Sequence, residues 1–269
     1  MMAYQQSLAA TAPSAPTRRK KKRSGGLGSG FLKLALVAAL CVGGYFALDW
    51  AMRPPIPDYP ERQFGTATLR VTARSGLETA VVQGEIDASG LVSRSTWTLS
   101  DGRSTTVLSD PTYAYLSADG TAWKRISWDD AAANMQLVAG LLSMVHFSDW
   151  VPAAAEDFVT INTRDPAVLG GVELTRYDIV IDLPEFADEE PDAFRAYSQR
   201  TGLTSEVAVS MTVYVDDNGF VWRLESVDGS DGGADTLVIE LISVSDGLLL
   251  VEYPTQFEET DGRVVSLAG

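Results

Sequence analysis

Whatever chemistry this 269-residue chain performs must be done with one histidine, His146, and one cysteine, Cys41. Ser–His and Cys–His nucleophilic pairs, and zinc sites built from several imidazoles, need partners that a single histidine does not supply within one chain. His146 follows an apolar stretch in MVHFSDW and reads as a helix-end residue, where an imidazole sits well against the negative end of the helix dipole. Carboxylates are plentiful, and a glycosidase needs just two. The clustered acids, Asp216 with Asp217 and Asp188, Glu189 and Glu190, fall where turns or an exposed acidic loop are expected, whereas acids acquire useful pKa values in clefts. DGSDGGAD, Asp228 to Asp235, lacks the D-x-D-x-D-G spacing of a calcium loop and its glutamate at the twelfth position, so it reads as a long hairpin loop. No catalytic residue, metal ligand or cofactor is assigned, and the chain is expected not to be an enzyme.

The positions of these residues depend on a membrane crossing. A basic cluster, Arg18, Arg19, Lys20, Lys21, Lys22 and Arg23, precedes a Gly/Ser spacer and the apolar run LALVAALCVGGYFAL, Leu34 to Leu48. Charge followed by an apolar run places the amino end in the cytoplasm and everything after about Asp49 outside. Phe31 and Leu32 on one side, and Trp50, Ala51 and Met52 on the other, extend the 15-residue run towards the ~20 residues of a span. Lys33 can snorkel. A cleaved signal peptide wants a small-x-small site after its core, and the exit here reads YFALDWAMRPP. Lipid attachment at Cys41 would follow bulky Leu40 and fall mid-run, so an uncleaved anchor is favoured over both alternatives and Cys41 reads as a small apolar membrane residue. Ala39 and Gly43 make one small-xxx-small step in the span. The cluster has no aromatic interleaving, which favours a topogenic and anionic-lipid role over nucleic acid.

Four segments follow: a disordered cytoplasmic tail with the basic cluster over residues 1–30, a transmembrane helix over 31–52, a Pro-rich linker over 53–60, and one extracytoplasmic domain over 61–269. RPPIPDYP should form an extended strut of roughly 25 Å at ~3.1 Å per residue. Beyond the span the chain carries 14 Lys and Arg against 35 Asp and Glu, a net charge of −21. Such a surface favours solubility and disfavours nucleic acid. With no cysteine outside the span, a hydrophobic core must hold the domain without disulfides.

Period-two patterning dominates that domain. In EVAVSMTVYVDD, Val207, Val209, Met211, Val213 and Val215 point one way, and turn signals recur at ARSGL, DASGL, SDGR, SADGT and DDNGF. About eleven antiparallel strands are expected, near 66–74, 77–88, 91–100, 103–109, 112–117, 121–127, 157–163, 172–183, 206–216, 219–227 and 235–252, the last breaking at Gly247. A meander of that size must curl, because open twisted sheets rarely exceed ~10 strands. Two segments have helical spacing. The first starts after Ser127, with Asp130 in a capping-box position, and runs to Val145. Its stripes are Met135, Val138, Leu142 and Val145, and Leu137, Leu141 and Met144, which marks a helix buried on nearly every side. The second, PEFADEEPDAFRAYSQRTG, restarts at Pro191–Asp192 and stops at Gly202.

TYAYLSADGTAWKRI (Thr112 to Ile126), GGVELTRYDIVIDL (Gly170 to Leu183) and VYVDDNGFVWRLE (Val213 to Glu225) resemble passages of the LolA-like half-barrel, in particular the actinobacterial LppX/LprG-type lipoproteins. The resemblance covers residues 61–255 as an order of elements. It implies an α+β, mostly antiparallel half-barrel with a buried helix and a concave face that encloses acyl chains without covalent chemistry. The family's usual acylated cysteine is replaced here by a peptide anchor. On this reading Leu137, Leu141 and Met144 are candidate lipid-facing residues, with plain core as the competing role, and apolar pockets with few polar groups suit such cargo. The expected partners are the membrane and a lipid or acylated ligand. An envelope interaction or sensory module, docking a protein on the same sheet, is the competing class.

Overall fold

The computed structural model describes residues 55–59, 62–75, 78–131, 133–204, 206–228 and 235–260. The tail, the basic cluster, the apolar run with Cys41, and most of the 228–235 loop lie outside them. No described helix is long and apolar enough to cross a membrane. The chain divides at Met52/Arg53, and all that follows concerns the second unit.

Twelve strands form one open sheet. β1 (Thr66–Ser75), β2 (Glu78–Asp87), β3 (Ser93–Leu99), β4 (Ser104–Ser109), β5 (Tyr113–Ser117) and β6 (Lys124–Ser127) make an antiparallel meander. The chain then crosses to the far edge and returns through β7 (Val159–Leu169), β8 (Val172–Ile181), β9 (Val209–Val215), β10 (Val221–Asp228) and β11 (Asp235–Ser245). β11 pairs with β1, and a two-residue β12 (Glu258–Glu259) adds to β6, giving the order β12-β6-β5-β4-β3-β2-β1-β11-β10-β9-β8-β7. The expected antiparallel sheet is present, with one departure: β12 lies parallel to β6.

Register explains the core. Leu69 opposes Leu241 and Gly84, Val71 opposes Ile239 and Val82, Ile239 opposes Leu224, and Leu224 opposes Val213, which faces Tyr177. Strand side chains alternate faces, so these residues share one buried face that runs from one meander into the other. The opposite face carries exposed polar pairs such as Arg94–Glu85 and Arg70–Gln83. Such pairs contribute little each.

Helices cover the buried face. α1 (Ala133–Leu142) and a four-residue turn α2 (Phe147–Trp150) precede a 3-10 turn, Ala153–Phe158; α3 (Leu183–Glu189) and α4 (Pro191–Thr201) link β8 to β9. α1 is shorter than the expected 128–145. At its start the Trp128 indole donates to Asp110 O at 2.9 Å, and Asp130 N–H bonds Ser127 O, so residues 127–131 form a turn in place of the capping box. At its end Val145 O accepts from Val221 N–H, and His146 bridges Phe220, so the chain leaves the helix to pair with β10. His146 is therefore not the helix-end residue expected from its sequence position. It is the N-cap of α2, with its backbone N–H donating to Asp149 Oδ2 at 2.9 Å and its ring stacked on Phe220.

The second helical segment breaks at Glu190, as Pro191 requires, and stops at Gly202 in the left-handed conformation, φ 73°. Past the break expected at Gly247 the stretch to 252 forms no second strand, and the last long strand ends at Ser245. Thr66, its partner on β1, is that strand's first residue, so the β1 ladder offers the chain beyond no further positions to pair with.

The Pro-rich linker is partly docked. Ile56 and Tyr59 pack against the core, and Tyr59 Oη lies 2.7 Å from Tyr177 Oη. Burial, then this hydrogen bond, raise the Tyr59 phenol above its ordinary range.

A Cβ on Gly202 would lie 2.8 Å from Leu137 Cδ1, in a backbone conformation that penalises side chains. Gly202→Ala should therefore destabilise the domain by roughly 1–2 kcal/mol, read as a lowered Tm. The neighbouring Arg200→Ala, at an exposed helix position, should shift it by less than half as much.

Candidate functional site

Beside α1 the buried face is left open. A groove of ≈ 520 Å³ lies between the helix and the ends of β2, β3 and β4. Its floor is Ile86, Ser93 and Ser109; its helical wall is Gln136, Ala139, Gly140, Leu142 and Ser143; and its rim is Gly90, Leu91, Pro111, Trp128 and Asp129. The volume falls within the ~300–1,000 Å³ of small-molecule sites.

Each wall has a local cause. Ser93 and Ser109 oppose one another across β3 and β4, and their buried hydroxyls bond at 2.7 Å. Both occupy inward positions, in one row with Ile86 on one side and Ala114 on the other. Three small side chains in succession, Ser93, Ser109 and Ala114, keep the floor low. The β2–β3 turn is tied by Asp87, whose carboxylate accepts from Ser89 Oγ and Val92 N–H, and this turn presents a half-exposed Leu91 at the rim. Gly90 abuts Ser143 at the end of α1 and closes one end. Trp128, held by Asp110 O, stands at the opening. Asp110 is itself fixed by the N–H groups of Thr112 and Tyr113, each 2.7 Å from Oδ1.

α1 is held off the floor by its packing on α4. A Cβ at Gly140 would meet Arg200 O at 2.6 Å, so the two helix backbones approach closely there. The lining is mainly apolar, with hydroxyls, one amide and a single carboxylate, Asp129. Gln136 donates its amide to Trp128 O and Ala131 O. Among the described residues no group of three or more His, Cys, Asp or Glu is placed to hold a metal. Asp216 is a turn residue, accepting from Asn218 N–H, Phe220 N–H and the Trp222 indole.

Of the three lipid-facing candidates, Leu137 and Leu141 lie elsewhere on α1 and Met144 lies just past its end. Leu141, 4% exposed, and Met144, 1% exposed, belong to the hydrophobic core, and Leu137 packs at Gly202. None of them lines the groove. The flank that does was overlooked because Gln136, Ala139 and Ser143 form no apolar stripe. One signal was present: in SRSTWTL, Ser93 and Ser95 share the inward phase with Trp97, an apolar position filled by serine.

Comparison with known proteins gives a fold-level likeness. No protein-family model matches the chain, and no curated protein does. The chain is similar to the lipoprotein LppX of Mycobacterium tuberculosis. That match covers 69% of this chain and 89% of LppX at 13% identity, with a TM-score of 0.42. A conserved protein of Thermus thermophilus matches over 73% of this chain and 90% of its own length, at 7% identity and a TM-score of 0.39. Likeness at that level assigns neither family nor ligand.

The buried hydroxyl pair yields a test of the floor. Ser93→Ala leaves Ser109 Oγ with just its 3.3 Å contact to Leu91 O, and should cost about 1–3 kcal/mol, whereas adding Ser109→Ala should cost little more. Urea denaturation of the two single variants and the double variant reads this coupling.

Proposed function

We propose that this chain is a single-pass membrane protein with its amino end in the cytoplasm, and that its outer domain binds or carries a lipid or acylated ligand in the cell envelope without covalent chemistry. The placement is argued from the order of the basic cluster and the apolar run. The ligand class is argued from one observation: an apolar groove with neutral polar groups opens on the buried face of the sheet, between α1 and the β2–β4 ends.

Ile86, Leu142, Leu91, Pro111 and the Trp128 ring would surround an alkyl chain, each methylene of which gains ~0.8 kcal/mol on leaving water. The floor hydroxyls satisfy one another and demand no charged partner from the cargo. Asp129 is the one carboxylate in the lining, and a neutral or weakly polar headgroup suits a surface this acidic better than an anionic one.

Native mass spectrometry of the full-length protein released from detergent micelles tests this. The wild-type protein should carry co-purifying acyl-chain adducts, and Ala139→Trp, which fills the groove from the helix side, should remove most of them while Tm stays near wild type. Leu141→Ala, a core truncation, should lower stability by about 2–5 kcal/mol and keep the adducts in the fraction that folds. A bare polypeptide mass for the wild-type protein in the presence of excess diacylglycerol and zwitterionic phospholipid would refute the lipid reading.

A further inference from the structure

After β11 the chain does not stop at the sheet. It leaves the middle of the sheet at Ser245, and Tyr253 Oη donates to Ser109 O at 2.7 Å. Tyr253 and Phe257 then pack on Tyr115, and β12 adds to the β6 edge. The added strand is short: two backbone bonds, Glu258 N–H to Trp123 O and Thr260 N–H to Arg125 O, hold it. The fit is chemical as well as geometric. The Arg125 guanidinium lies between the rings of Tyr113 and Phe257, 4.2 and 4.1 Å from their centroids, and pairs with Glu259. In a domain this acidic, Lys124 and Arg125 form a basic edge, and the segment laid on it brings Glu258 and Glu259.

The connecting residues fit a single chain poorly. Leu248 and Leu250 are 85% and 82% exposed, although Leu248 to Val251 is a continuous apolar run whose side chains alternate between exposed and half-buried, as in a strand. Among the described residues of one chain no strand lies alongside to pair with it, because β1 begins at Thr66 opposite Ser245. A second copy of the same segment would supply that neighbour.

We propose that the carboxyl-terminal segment, residues 246–260, exchanges between two copies of this chain. The β12 of each copy occupies the β6 edge of the other, and the two Leu248–Val251 stretches meet as they cross. Exchange reuses every contact of the closed arrangement and adds burial of the hinge leucines, which is the usual balance in strand swapping. An open sheet edge is a natural site for strand addition, and the best-fitting strand available is the chain's own. This inference does not rest on the lipid reading: it uses the β6 edge and the Leu248–Val251 stretch, and meets the groove floor just where Tyr253 Oη donates to Ser109 O.

The test uses the full-length protein in detergent micelles with Cys41→Ala, Lys124→Cys and Glu258→Cys. Residues 124 and 258 are Cα partners in the β6–β12 pairing, a placement that a disulfide can bridge. After oxidation, non-reducing electrophoresis separates a bond within one chain, which leaves the 28.9 kDa monomer, from an exchanged bond, which gives a covalent dimer of twice that mass. The expected result is a dimer that grows with protein concentration before oxidation. Leu248→Ser with Leu250→Ser should reduce it at least about tenfold, as lost apolar burial of that size implies. Monomer alone at every concentration, no disulfide at all, or a dimer indifferent to the two leucines would each overturn the exchange.

Discussion

The pairing of β1 with β11 is the constraint on which the rest of the structure depends. It joins a meander built from residues 66–127 to another built from 159–245, so that two modest sheets become one of twelve strands with one continuous buried face. The first meander has no helices of its own to cover that face. The 128–158 connection, which crosses from β6 to the far edge, supplies α1 and α2, and the 182–208 connection between β8 and β9, inside the second meander, supplies α3 and α4. Because sheet and helices come from interleaved stretches of chain, the groove can form only after contacts of long sequence separation are made, a topology associated with slow folding.

Side-chain size along the buried face determines where it is filled and where it is open. On the β7–β11 side, Phe158, Phe186 and Tyr197 pack into one aromatic layer, with Phe158 stacked on Phe186 at 5.3 Å, and Tyr177 packs on Phe147. Toward β3 and β4 three inward positions, Ser93, Ser95 and Ser109, carry serine beside Trp97 and Val107, and α1 is kept at a distance by its close approach to α4 at Gly140. Protein interiors close-pack wherever they can, so open volume requires that both surfaces be prevented from collapsing. Serines on the floor and a helix held from the other side meet that requirement together.

Much of this architecture was legible in the residue pattern, because period two and turn chemistry are local signals. The hairpins, the break before Pro191 and the Gly202 stop are where local propensity placed them. What local pattern could not show is pairing between distant strands. It therefore overran the end of β11, whose length is set by where β1 begins, and it gave no hint of β12, which depends on an edge more than 130 residues away. The helix was drawn too long for a similar reason: Trp128 and Val145 are drawn out of it by Asp110 and Val221. The candidate site shows the same limit. Apolar stripes identified Leu141 and Met144 as inward, which they are, as are Ile86 and Leu142 beside the groove; what marks the flank bordering open space is its small and polar residues, Gln136, Ala139 and Ser143.

The central claim is that apolar cargo is held between Ile86 of β2 and the Leu142 side of α1, and not against Leu141 and Met144. The most direct measurement is methyl-detected NMR on the full-length protein in deuterated detergent, with an undeuterated monoacylglycerol added. The account predicts intermolecular NOEs from the alkyl chain to the methyls of Ile86, Leu142 and Leu91, and none to Leu141 or Met144. NOEs confined to Leu141 and Met144, or none to any protein methyl at saturating monoacylglycerol, would contradict it.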